Sequence, residues 1–235
     1  MSEVAGRFFE EAARRADEPL LPELEMYVEE DGPFGPALKH PFVYELILNQ
    51  KWRANDQYNY KVKALKSAVK NQDWHSFVYL HERPYRAMAL ESAALRGDID
   101  DGDYWELTSS TWTDTENHWQ HRLEWNRLLR SNRSHRERFM DDDERESFNA
   151  LPDSLTVYRG WNGSGTAKGL AWTLEREKGI WFAHRLIHDG EPPSLAAGIV
   201  QKEHTLGLLQ GRGEQEIVIP RIGRIQITEI ETGIS

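Results

Sequence analysis

The chain contains no cysteine among its 235 residues. That excludes a disulfide framework, a thiolate zinc site and a thiol nucleophile. No uninterrupted apolar run approaches the roughly 20 residues of a membrane helix. The N-terminus is acidic and amphipathic, without the apolar centre of a secretory signal. Positive charge is short as well: 29 Lys and Arg face 39 Asp and Glu, a formal net charge of −10. This balance argues against broad coating of DNA, which rests on cationic neutralisation of phosphates, but leaves room for a local basic site. The expectation is a soluble, cytoplasmic protein with no membrane partner. What the chain has in quantity is tryptophan, nine residues. Large aromatics each bury roughly 150–250 Å², so most of the nine are expected in the core.

There is no internal repeat. Prolines 19, 22, 33, 36 and 41 break the pattern after a first helix, and residues 17–41 read as an irregular connection. From 42 to 150 the pattern is helical. Asn55 or Asp56 is placed to cap a helix ending near Asn71, a second helix covers roughly 73–83, and a third starts at Pro84 and stops at Gly97. Thr113 or Asp114 is placed to cap a long helix through Leu129, and 141–150 reads as a short helix with acids at its N-terminus. After Pro152 the character changes. Strands are expected at 155–158, 170–173, 195–200, 204–209, 216–219 and 225–230, with one helix at 174–187. The fold class is therefore α+β, with a helical region over 1–150 and a β-rich region over 151–235.

Three pieces of the β-rich region stand out. Val157-Tyr158-Arg159-Gly160 puts an arginine at a strand end before glycines. Gly169–Thr173 (GLAWT) is followed by a helix containing Trp181, Phe182 and Ala183. Glu214-Gln215-Glu216 brings two acids, at i and i+2, into a strand. Taken one at a time, each has a plain structural explanation: a surface arginine paired to an acid, a common strand threonine, the wet face of an edge strand.

In this order the three resemble the mono-ADP-ribosyltransferases of the Arg-Ser-Glu class, bacterial or phage-encoded members, over about residues 155–220. The resemblance implies a split β-sandwich core with an NAD site at 151–235, and NAD as substrate. It implies Glu216 as the catalytic acid and Glu214 as the acid that orients the acceptor. Arg159, with Tyr158 and Gly160, would bind NAD, and Thr173 with Trp172 and Phe182 would line the nicotinamide pocket. A Glu at 214 is similar to the arginine-modifying members, so a protein arginine is the favoured acceptor, with a nucleic acid as the other. A toxin or phage effector of this class would be expected to have a neutralising or regulatory partner. Ala171 departs from the pattern, standing where the family has a serine, which leaves a degenerate binding module of the same fold as a further reading.

The chemistry of the residues fits these roles. Losing nicotinamide leaves positive charge on the ribose, and a carboxylate beside it stabilises that charge. A guanidinium fork matches phosphate and ribose oxygens and stays charged at every relevant pH. Alternation along an extended chain places Glu214 and Glu216 on one face.

Two other groups carry weaker readings. Asp114, Glu116, His118 and His121 fall on one expected helix, but the acids are more simply caps, and no metal is expected. Arg127, Arg130, Arg133, Arg136 and Arg138, with His135, are the one basic concentration; a solvated helix end is favoured over a phosphate-facing patch. Gly160, Gly163, Gly165 and Gly169 fail the dinucleotide spacing, and no βαβ unit follows them.

Overall fold

The computed structural model describes residues 13–97, 99–163, 165–185, 192–211 and 213–234. The expected first helix falls almost wholly outside them. The chain forms two compact units, Met1–Ile99 and Asp100–Ser235. The helices between residues 100 and 150 thus belong to the same unit as the second sheet, and the boundary expected at 150/151 is not where the units divide.

The first unit is not purely helical. It begins with α1 (Pro22–Glu25) and a three-stranded antiparallel sheet of β1 (Val28–Glu29), β2 (Ala37–His40) and β3 (Val43–Glu45). The proline-rich stretch read as irregular therefore carries strands. Pro22 opens α1 and Pro41 lies in the turn between β2 and β3, while Leu38 and Val43 are buried in a core shared with Leu20, Leu24 and Ala54. Three helices follow: α2 (Lys51–Lys70), α3 (Trp74–Tyr79) and α4 (Arg86–Leu95).

Asn55 does not cap α2 but lies buried within it. Its side chain accepts the Leu21 N–H at 2.9 Å and donates to the Pro19 carbonyl at 2.9 Å, holding the incoming segment. The α3 cap is Asp73, accepting from Ser76 N at 2.9 Å. Gly97 leaves α4 at φ +79°, a left-handed conformation that suits glycine.

His40 and His81 sit in an aromatic cluster with Phe42, at 5.4 and 4.8 Å between ring centroids. Burial holds both imidazoles below the ordinary histidine value. His40 Nδ1 accepts the Phe42 N–H at 3.0 Å, which requires that nitrogen to be unprotonated. A depressed histidine pKa means the unfolded chain takes up protons more readily than the folded one. This contribution to stability is present above the ordinary value of about 6.5 and lost as pH falls below it. The melting temperature should drop between pH 7 and pH 5, and His81→Phe should lessen the drop. Melts that are identical at the two pH values would contradict this.

The second unit opens with α5 (Asp101–Asp114), which the sequence reading missed. Its stretch Thr108–Thr113 is rich in Ser and Thr, which compete for backbone hydrogen bonds and weaken helices. Burial of Tyr104, Trp105, Leu107 and Trp112 overrides that propensity, and Asp100 caps the helix by accepting from Gly102 N at 2.8 Å. Asp114 therefore ends a helix rather than starting one. The expected long helix is only α6 (Arg122–Leu129), preceded by a looped segment over 115–121. Then comes α7 (Asp142–Ala150), with a full capping box: Asp141 accepts from Glu144 N at 2.8 Å, and Glu144 accepts from Asp141 N at 3.1 Å. Asp141→Ala should cost about 1 kcal/mol in denaturant unfolding; an unchanged midpoint would contradict the cap.

The β-rich part supplies β4 (Ser154–Trp161), β5 (Ala171–Thr173), α8 (Arg176–His184), β6 (Ser194–Gln201), β7 (Gly207–Leu209), β8 (Glu216–Val218) and β9 (Ile225–Thr232). The six strands form one antiparallel sheet in the order β7-β8-β5-β4-β6-β9. The expected continuation of α8 past Arg185 lies outside the described residues. Gly179 is tolerated inside α8 because the helix packs tightly on β4. A Cβ at Gly179 would stand 3.1 Å from that of Tyr158, and one at Gly160 would stand 1.9 Å from the Gly179 carbonyl oxygen. Among the described residues, no helix is long and apolar enough to cross a membrane.

Candidate active site

The strand register lines up the central residues. Leu209 pairs with Glu216, Glu216 with Thr173, and Thr173 with Tyr158. Residues directly opposite in a sheet share a face, so Tyr158, Thr173 and Glu216 form one row across β4, β5 and β8. Positions separated by many residues in sequence are thus brought side by side.

Thr173 is buried, and its hydroxyl donates to the Glu214 carbonyl at 2.7 Å. The Leu174 N–H donates to Gln215 O at 3.1 Å. The two bonds tether the acidic segment to the end of β5. Gln215 has φ +45°, and β8 begins only at Glu216. The extended alternation expected to put Glu214 and Glu216 on one face therefore does not apply. The loop between β7 and β8 is also braced at its start: Gln210 N donates to Glu144 Oε1 at 2.7 Å, and Gln210 Nε2 to Gln215 Oε1 at 3.1 Å. Arg212 of this loop lies outside the described residues.

Arg159 lies next to Tyr158, where β4 and β5 share a single paired position. Its side chain fills the gap that opens there. Nη1 donates to Ala171 O at 2.8 Å and Nε to Thr166 O at 3.1 Å. The guanidinium packs flat on Gly169, where a Cβ would stand 1.9 Å from Cζ; only glycine fits. Burial lowers the Arg159 pKa, and the nearby Glu216 carboxylate opposes that shift. Two of the N–H groups expected to meet NAD thus already hold backbone carbonyls, and the arginine shapes the β5 end of the site.

The other expected pocket residues scatter. Trp172 is 2% exposed and donates to Gly169 O at 2.9 Å. As the residue between Ala171 and Thr173, it points to the opposite face of β5 and serves as core. Gly160 serves the packing of α8 on β4. Phe182 is partly buried and meets Trp181 edge to face at 5.0 Å. Trp181 is 52% exposed, and the buried member of the segment is Ala183.

The residue that sequence reasoning missed is Trp112 on α5. Its indole Nε1 donates to Glu216 Oε1 at 2.7 Å. It lies 104 positions from its acceptor, and no local pattern signals such a pairing. His118 stacks on Trp112 at 3.7 Å and 22°, and Trp125 meets it edge-on at 5.0 Å and 84°.

The basic concentration is used inside the fold. Arg130 donates to Pro220 O at 2.8 Å, and Arg136 to Thr205 O at 2.9 Å. Arg133 pairs with Asp101 at 3.0 Å, Arg138 with Glu106 at 2.5 Å, and Arg127 with Glu124 at 3.3 Å. His118 and His121 lie in the 115–121 loop, not on a shared helix face, and His118 Nε2 bonds the Trp112 carbonyl at 2.9 Å. Among the described residues, no group of three or more His, Asp or Glu is arranged to hold a metal ion. An open cleft of about 1330 Å³ lies between α5, α7 and the β7 end, lined by residues such as Glu106, Asp114, Arg138, Asp142 and Gly211. It includes none of Arg159, Thr173 and Glu216.

Comparison with known proteins gives no matching family model, no matching curated protein and no matching solved structure.

Proposed function

We propose that the chain is an NAD-dependent mono-ADP-ribosyltransferase, transferring ADP-ribose to an acceptor, a protein arginine in the favoured case, and releasing nicotinamide. The observation that carries the reading is the row of Tyr158, Thr173 and Glu216 on three neighbouring strands, with Arg159 beside it. These are residues the resemblance names, and their juxtaposition on β4, β5 and β8 supports the reading.

In this reading Glu216 faces the nicotinamide ribose. The bond between ribose C1′ and the nicotinamide nitrogen breaks, and its electron pair leaves with neutral nicotinamide. The carboxylate stabilises the oxocarbenium ion that remains and accepts a hydrogen bond from a ribose hydroxyl. An acceptor guanidinium nitrogen, oriented by Glu214, then bonds to C1′ and releases a proton to solvent water. Thr173 contributes through the backbone it holds, fixing the position of Glu214.

The second reading is a binding module of the same fold without activity. The bonds of Arg159 to Ala171 O and Thr166 O favour it, because they commit two donors that NAD would otherwise engage. Incubation with NAD labelled in the adenylate half and a bacterial lysate separates the readings. Label in the protein fraction supports arginine transfer, and label in nucleic acid changes the acceptor. Intact NAD throughout favours the binding module.

A further inference from the structure

We propose that Trp112 is a positioning residue for Glu216, its indole N–H fixing the carboxylate on which the proposed transfer depends. This rests on the transferase reading. Trp112 comes from α5, outside the three motifs, and is 1% exposed. Its N–H reaches Glu216 Oε1 at 2.7 Å, within the range of a charge-assisted hydrogen bond. The ring cannot swing away. His118 covers one face at 3.7 Å and is itself bonded to the Trp112 carbonyl, while Trp125 closes the edge.

An indole suits this task. It donates only, and it does not titrate in the working range. A lysine or arginine at this contact would add a full positive charge beside the ribose, opposing the cation that forms there. The indole orients the carboxylate and leaves its charge available. A hydrogen bond to an ionised carboxylate favours the ionised over the neutral form.

Among the described residues, the charged and titratable groups near Glu216 include Arg159, whose field it feels, Glu214 two residues earlier in the chain, and His118 behind the indole. Its register partners Thr173 and Leu209 do not titrate in this range.

Trp112→Phe keeps a ring between His118 and Trp125 and removes the donor. Trp125→Phe is the matched control. It alters the same cluster, but the Trp125 Nε1 has no hydrogen-bond partner to lose. In Trp112→Phe, kcat for nicotinamide release should fall roughly tenfold or more, the size of one charge-assisted hydrogen bond. KM for NAD should change little, and the acid limb of the kcat–pH profile should move to higher pH. Trp125→Phe should leave the limb in place.

An active wild type with an unmoved limb in Trp112→Phe overturns the inference and leaves the transferase reading standing, as does an equal effect of the two variants. A wild type that releases no nicotinamide overturns the transferase reading, and with it any catalytic meaning of the contact. If Trp112→Phe fails to fold, the wild-type Trp112 indole ¹⁵N–¹H resonance decides. It should shift with pH along the acid limb and be displaced in Glu216→Gln, whereas a resonance indifferent to both overturns the inference.

Discussion

Glu216→Gln should fold as the parent does and lose at least about 100-fold of the transfer rate, the usual scale for removing one preorganised electrostatic group. The substitution is nearly isosteric. The amide oxygen of glutamine can still accept the Trp112 N–H, so the contact between α5 and β8 survives. What disappears is the negative charge that the proposed mechanism sets against the ribose, and a neutral amide cannot stabilise an oxocarbenium ion to the same degree. Initial rates of nicotinamide release, with circular dichroism and melting curves beside them, read the two halves of this expectation separately. A folded variant within a few-fold of the parent would remove Glu216 from the catalytic role.

Gly160→Ala should be the most damaging single methyl group in the β-rich part. The added Cβ would fall 1.9 Å from Gly179 O and 2.5 Å from Ala183 N. Both are backbone atoms of α8, so no side chain can turn aside, and the helix must lift from β4. Overpacking of this kind costs about 1–3 kcal/mol, with more where the backbone must move. For a chain of this size each kcal/mol lowers the melting temperature by roughly 2–4 °C. Gly179→Ala is the milder companion, because its closest obstacle is Leu195 Cδ1, the end of a flexible side chain, at 2.8 Å. If Gly160→Ala melts with the parent, the close approach of α8 to β4 is wrong. A fall in activity should accompany the fall in stability, since β4 carries Arg159 and Tyr158 into the site.

The same contacts explain which parts of the molecule were legible in the sequence. Signals local to a few residues read correctly: the short helix over 141–150 with acids at its N-terminus, the strand expected at 155–158, the shift from helix to sheet after Pro152. The α5 helix did not read, because its Ser and Thr content argues against a helix that burial of residues such as Trp105 and Trp112 secures. The strands β2 and β3 were obscured by the prolines around them, which mark turns between short strands as readily as irregular chain. Asn55 has the residue type of a cap but the position of a buried staple, a distinction that depends on Pro19 and Leu21 arriving against it.

At the candidate site, the sequence singled out Arg159, Thr173 and Glu216; the register pairs Glu216 with Thr173 and Thr173 with Tyr158, and Arg159 follows Tyr158 on β4. It misjudged Trp172, because alternation within a three-residue strand sends the middle residue to the other face. It misjudged the pairing of Glu214 with Glu216, because the positive φ of Gln215 breaks the extended path between them. The bond from Trp112 to Glu216 was out of reach of any local pattern, since it depends on how α5 packs against β8.

The most direct test of the transferase account is the release of nicotinamide from NAD by the purified wild-type chain, followed over time beside Glu216→Gln, with a bacterial lysate supplying acceptors. The account predicts steady release by the wild type, matched by ADP-ribose appearing on an acceptor, and release near background in the variant. NAD that stays intact with the folded wild type, or release that is equal in the two proteins, would contradict it.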